Sequence, residues 1–308
     1  MLNMQALPNF DNVAKEILVL LQERLGFDLW MITRMEQNDW IVLYKRGKSY
    51  SVAEGDIFHW PDTFCYRMVN QGLPRVVADC AANPVYADAP VGRLLAIGAY
   101  IGIPLTYSDG RLFGTLCAIH PTAMPERIAE ELPLLEVMAR MMGLILSVCL
   151  DISGQARSKE QREANHLRDQ ATGLYNCPGW YYLLSREERR CHLYGHSACI
   201  ISIHLKGVNS LSSGCEMAGV SAPIAKLAEI IQSTARKDDV VARIGDSAFA
   251  ILAVESTLAE GTILLERLNL YLRLAQLDVS TAIAARQPRQ VCLSEVWQQA
   301  DAAAGATL

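Results

Sequence analysis

The sequence predicts an α+β protein built from two compact domains. Three observations carry that expectation. Apolar runs of strand length flank the turn signal Ser108-Asp109-Gly110 in the first half, strands and helices alternate in the second, and the polar stretch 154–168 separates them. The 308 residues suffice for two domains at roughly 100–200 residues each.

In the first half, Phe10, Val13, Ile17, Leu20, Leu21 and Leu25 recur at three- and four-residue steps, the period of an amphipathic helix. Leu29–Met35 and Trp40–Tyr44 read as strands, and 62–70 as a short helix with Pro61 at its start. Ala99–Tyr107 and Leu112–Ile119 flank the Asp-Gly step, which favours a tight hairpin turn. With a long closing helix this makes an antiparallel sheet covered by helices. The expected divisions are 1–130 for the first domain, 131–168 for a connecting helix and 169–308 for the second domain.

The closing helix carries a second pattern. Leu135, Met138, Met142, Ile145, Cys149 and Ile152 follow 3–4 heptad spacing. Such a stripe either packs on its own domain or is shared with a second copy in a parallel dimer, so a homodimer is one expectation.

The second half reads as Ala198–Leu205 strand, Ala222–Ala235 helix, then strands 240–244 and 248–254 around Gly245-Asp246. A helix over 262–274, a strand over 279–285 and a helix over 294–304 follow. The order βαββαβα predicts a ferredoxin-like mixed sheet with helices on one face.

Composition narrows the function classes. At 51% apolar and 20% charged the chain can bury real cores. A net charge of -5 argues against a general nucleic-acid binder, which needs a basic face. Nine cysteines, an odd number without a CxxC, suit reduced thiols in the cytoplasm better than disulfides or structural zinc, and no metal site is expected. The N-terminus has no signal-peptide pattern, and Leu132–Ile152 is interrupted by Glu136 and Arg140, so no membrane span is expected.

Four motifs make the second half specific. Residues 169–176, DQATGLYN, resemble the DxLTGLxN opening of GGDEF domains, the diguanylate cyclase family. Lys206-Gly207-Val208-Asn209 resembles the family's FKxxN segment with Leu205 for its Phe, Arg243 to Phe249 stand where RxGGDEF belongs, and Ala300-Asp301-Ala302-Ala303 resembles the ADxA of the last helix. Their order over about 164–308 implies the GGDEF fold.

The same alignment implies lost cyclase activity. The five signature positions become Gly245, Asp246, Ser247, Ala248 and Phe249. Asp246 puts negative charge where a triphosphate should approach, and Ser247 is a weak neutral ligand where the family coordinates magnesium. Counting back from Asn209, the family's other magnesium acid is Ile201 and the next acid is Ile203. Hydrocarbon cannot ligate a hard cation, and phosphoryl transfer depends on that ion. Ala218 or Gly219 takes the place of the base-reading acid, which leaves Asn209 alone among the nucleotide contacts.

Nine residues before Gly245, Arg236-Lys237-Asp238-Asp239 resembles the RxxD inhibitory site, which binds cyclic di-GMP. Guanidinium forks a phosphate or a guanine edge, and the carboxylate accepts from guanine N–H groups. A solvated turn with a helix-terminal arginine is the structural alternative.

Residues 1 to about 150 resemble a GAF domain, a small-molecule sensor module, through 60–65 (WPDTFC), 99–105 (AYIGIPL) and 110–117 (GRLFGTLC). Its ligand is left open. A bilin site lacks its Cys-His pair in this half, the NKFDE signature of cyclic-nucleotide binders is absent, and no reactive cysteine set marks a methionine sulfoxide reductase. A metal, haem or thiol site could use His59, Cys65, Cys117 or His120, against the alternative of core packing. Trp60, Asp62, Cys65 and Tyr100 are the expected pocket residues.

Together these features predict a non-enzymatic signalling protein with no required cofactor. It would bind cyclic di-GMP, a protein partner, or both. The alternatives are a residual cyclase or an interaction scaffold that binds no ligand.

Overall fold

The computed structural model describes residues 9–206, 222–287 and 292–306. Two compact units meet after Ser153, so the first half of the expected connector belongs to the first unit.

The first unit runs α1 (Phe10–Leu25), β1 (Leu29–Glu36), β2 (Asp39–Arg46), β3 (Ile57–His59), α2 (Phe64–Gln71) and β4 (Val76–Val77). Short helices α3 (Pro84–Ala87) and α4 (Val91–Leu94), strands β5 (Ala99–Thr106) and β6 (Leu112–His120), and α5 (Leu132–Glu163) follow. Asn9 caps α1 by accepting the Asp11 N–H, and Gly26 ends it in the left-handed region at φ 69°. The strands form one antiparallel sheet in the order β3-β2-β1-β6-β5-β4.

Strand alternation gives this sheet two buried faces. Trp30, Ile32, Leu116 and Ile101 pack against Leu18 and Leu21 of α1 and Leu135 and Met142 of α5. Met31, Cys117, Ile119 and Tyr100 turn to the other side, against Phe64, Cys65 and Met68 of α2.

The heptad stripe resolves toward packing on its own unit. Leu135, Met142 and Cys149 are buried in that core, Met138 and Ile145 lie against it, and Ile152 stays 37% exposed. A second apolar stripe, Leu134, Val137, Met141, Leu144 and Val148, faces outward with the same 3–4 spacing. By length and composition the helical segment Glu126–His166 could cross a membrane, with 33% of its most apolar window buried inside the protein.

The second unit contains α6 (Cys177–Tyr194), β7 (Ala198–Leu205), α7 (Ala222–Thr234), β8 (Val240–Arg243), β9 (Ala248–Val254), α8 (Leu258–Leu274), β10 (Val279–Ala285) and α9 (Leu293–Gly305). Its sheet order β10-β7-β9-β8 is the ferredoxin-like one. Among the described residues the three strand pairings are antiparallel rather than mixed, because β9 returns between β7 and β8, and the isolated bridge from Tyr175 to Ala242 is parallel. Helices cover both faces, not one. α7 and α8 lie over Ile201, Ile203, Phe249 and Ile251. α6, which the sequence reading did not anticipate, joins α9 over Ile200, Ala250 and Leu252. The burial of β7 carries the reason: seven of its eight residues, Ser202 among them, are buried, so both faces of the strand are covered.

The polar stretch from Gly154 is helical through Glu163. It continues α5, and Arg157, 9% exposed, pairs with Glu187 at 2.9 Å and Glu255 at 2.8 Å.

Candidate functional site

The motif residues of the second unit first build backbone. Asp169 accepts the Thr172 N–H at 2.9 Å and the Thr172 hydroxyl at 2.7 Å, and Gly173 follows at φ 71°. Asn176 accepts the Gly179 N–H at 2.9 Å at the start of α6. Arg243 Nη1 stands 3.3 Å from Asp169, while Nε and Nη2 donate to the carbonyls of Gly245 at 3.2 Å and Asp246 at 2.8 Å. This one guanidinium clamps the whole signature turn. Partial burial works to raise the Asp169 carboxyl, but the Thr172 hydroxyl and the Arg243 charge outweigh it and hold it below the usual carboxylate range. In the last helix Asp301 meets His204 Nε2 at 2.8 Å.

In the signature turn, Gly245 and Asp246 are exposed, while Ser247 and Ala248 are half-buried. Phe249 is fully buried and pairs across strands with Ile203; Ile201 pairs with Ile251 on one side and Ile283 on the other. Both isoleucines are wholly buried beneath Leu227 and Ile231 of α7 and Leu264 and Leu268 of α8. These two hydrocarbon side chains offer a magnesium ion no ligand atom, so these positions do not fit it. Gly207, Val208, Asn209, Ala218 and Gly219 lie outside the described residues.

At the RxxD segment the two ends differ. Arg236 is exposed, as are Lys237 and Asp238. Asp239 is 6% exposed, with Oδ2 accepting the Arg236 N–H at 2.7 Å and Oδ1 the Val254 N–H at 3.2 Å. Burial pushes its carboxyl above the usual range, against the pull of those two amides. The Asp239 carboxylate therefore ties the turn to β9, and both of its oxygens already accept backbone N–H groups.

In the first unit a cavity lies between the sheet and α2, α4 and the segment after it, lined by residues including Trp40, Phe58, Phe64, Cys65, Tyr100 and Cys117. Cys65 and Tyr100 are thus among its lining residues. Trp60 and Asp62 do not line it. Pro61 starts a tight turn that packs Trp60 edge-on to Tyr66 at 5.8 Å and leaves Asp62 half-exposed, 3.3 Å from His59. The wall is supplied one step later, by Thr63, Phe64 and Cys65.

Cys65 Sγ accepts from Tyr100 Oη and Thr115 Oγ1, both at 3.3 Å. Trp40 Nε1 and Thr33 in turn fix the Thr115 hydroxyl, at 3.3 and 2.8 Å. Gly102 makes room for this arrangement, because a Cβ there would sit 1.8 Å from Tyr100 Oη. Thr115 and Cys117 share one face of β6 by strand alternation, a signal present in the sequence that the pocket assignment did not use.

These units define a two-domain α+β protein with a small apolar-lined cavity in the first domain and a ferredoxin-like sheet in the second. Residues 9–146 match the family described as GAF domain, and residues 166–304 the family described as diguanylate cyclase, GGDEF domain; the chain carries both domains in that order. No curated protein matches it. Among solved structures, the FimX GGDEF domain from Pseudomonas aeruginosa is 23% identical, covering 46% of this chain and 92% of that one with a TM-score of 0.41. The coiled coil and GGDEF domain of DgcB from Caulobacter crescentus, solved in complex with c-di-GMP, is 19% identical over 54% of this chain and 93% of that one, TM-score 0.41. The free methionine-R-sulfoxide reductase from Neisseria meningitidis, in complex with its substrate, is 17% identical over 48% and 83%, TM-score 0.39.

Proposed function

We propose that this chain is a signalling protein whose GGDEF domain binds cyclic di-GMP without making it, while its GAF domain senses a small molecule. The observation that carries the non-catalytic reading is the burial of Ile201 and Ile203 beneath two helices. Phosphoryl transfer needs magnesium to offset developing charge, and neither residue can help hold it. Binding rests on the RxxD resemblance and on Arg236, whose exposed guanidinium can fork a phosphate or a guanine O6/N7 edge. Asp239 serves as the positioning residue that shapes the turn beneath it.

The active form is a homodimer in a cytoplasmic setting, the latter on the odd, CxxC-free cysteine set. The outward stripe of Leu134, Val137, Met141, Leu144 and Val148 has the 3–4 repeat that a second copy of the same helix fills in parallel packing. A ligand favouring one arrangement of such a pair shifts the population between two states.

Titration calorimetry with cyclic di-GMP tests the binding. Heat at tens of micromolar, lost in Arg236→Ala, is the expected outcome; no heat, or an unchanged affinity in the variant, sinks it. Incubation with GTP and magnesium or manganese tests the rest, and product above the background of a heat-denatured sample overturns the non-catalytic reading. Sedimentation of Leu144→Glu beside the parent chain tests the dimer.

A further inference from the structure

The GAF cavity holds chemistry that the proposed function does not use. We propose that Cys65 and Cys117 form an oxidisable dithiol that reacts with hydrogen peroxide, Cys65 as the attacking thiolate and Cys117 as the resolving thiol.

Three features of the site carry this. The first is the set of donors on one sulfur. Tyr100 Oη and Thr115 Oγ1 both point at Cys65 Sγ from 3.3 Å, and Cys65 is the second residue of α2, where helix N–H groups favour a thiolate. The second is asymmetry between the sulfurs. Burial alone would push the Cys65 thiol up, yet its polar neighbours, the Cys117 thiol and the Thr115 and Tyr100 hydroxyls, hold it below the ordinary cysteine value. Burial and the neighbouring Cys65 push Cys117 well up, so it keeps its proton. Tyr100 is likewise held up by burial and stays a donor. The third is size. The space open to a water-sized molecule is about 30 Å³, room for about two waters at the ~10–15 Å³ each requires, a volume that a peroxide matches.

The chemistry balances. The Cys65 thiolate attacks one peroxide oxygen, forming S–O as O–O breaks, and the departing hydroxide takes the thiol's proton to become water. The sulfur is oxidised by two electrons to a sulfenic acid. The Cys117 sulfur then displaces that hydroxyl, which leaves as a second water with the Cys117 proton, and a disulfide remains.

The test treats the reduced full-length chain with hydrogen peroxide and maps thiols by peptide mass. A Cys65–Cys117 disulfide peptide is expected. Cys117→Ser should instead leave a Cys65 sulfenic acid that dimedone traps, and Tyr100→Phe should slow oxidation about tenfold while circular dichroism stays unchanged. Cumene hydroperoxide, too large for the cavity, should react far more slowly than hydrogen peroxide. Oxidation confined to the half-buried Cys177 and Cys292, or equal rates for the two peroxides, overturns the proposal.

Discussion

The carboxylate of Asp239 accepts the backbone N–H of Arg236 at 2.7 Å, so within the RxxD segment the acid braces the turn and the arginine stands on it. A motif that reads as two ligand contacts is, in the folded chain, one brace and one exposed cation. The two residues should therefore separate cleanly on mutation.

Asp239→Ala leaves the N–H groups of Arg236 and Val254 without their acceptor, beside a strand that is buried. An unsatisfied buried donor costs about 1–3 kcal/mol, so urea denaturation should show a loss of at least that size. Arg236→Ala should leave the midpoint within about 0.5 kcal/mol, as surface changes do, while cyclic di-GMP binding disappears. A large stability loss in Arg236→Ala would contradict the division of roles.

Putting an acid back should not restore a metal site. Ile201→Asp places a carboxylate among Ile251, Ile283 and the helices above them. An uncompensated buried charge costs about 3–5 kcal/mol, whereas Ile201→Val should cost only about 0.5–1.5 kcal/mol. The expected result is a strongly destabilised second domain with no GTP turnover in magnesium. Turnover in a chain as stable as the parent would mean that the isoleucine pocket can open.

How far the sequence could be read follows from which forces set each feature. Two apolar runs of strand length and the Asp-Gly step between them marked the β5–β6 hairpin, because both signals are local. The motif around Asp169 and Arg243 was legible as a family pattern, and its side chains hydrogen-bond within the two turns that carry it. The inward stripe of α5 was visible in its period, but period alone cannot say which of two apolar stripes meets the core; packing on α1 and the sheet decides that. Helix α6 hid because Arg186, Glu187, Glu188, Arg189 and Arg190 fill its second half, and burial of Glu187 and Arg190 depends on pairing with Arg157 and Glu160 far along the chain. Trp60 and Asp62 were placed around the presumed pocket; they sit in the tight turn before α2, and Thr63, Phe64 and Cys65 line the cavity.

Gly102 should resist substitution for a reason unrelated to backbone freedom. The Tyr100 ring crosses it to reach Cys65, and a methyl group would overlap Tyr100 Oη. Overpacking of this kind typically costs about 1–3 kcal/mol. Gly102→Ala should lower the thermal midpoint and, by displacing the donor, slow Cys65 oxidation. A variant with parent stability and parent oxidation rate would show that the tyrosine has another seat.

The Asp169–Arg243 pair should make the second domain acid-sensitive. The Asp169 carboxyl is held below its unfolded value, roughly 3.9. A group depressed on folding contributes stability above its unfolded pKa and loses it as pH falls through the folded one. The contribution is thus complete at neutral pH and fades below about pH 4. Other carboxylates titrate in the same window, so the informative quantity is the difference between parent and Asp169→Asn. Asparagine still accepts one hydrogen bond from Thr172 but carries no charge for Arg243, whose clamp on Gly245 and Asp246 then loses its anchor. The variant should melt below the parent at pH 7, and the gap between the two midpoints should narrow steadily as the pH drops below 4. A gap independent of pH would assign Asp169 a purely steric part in the turn.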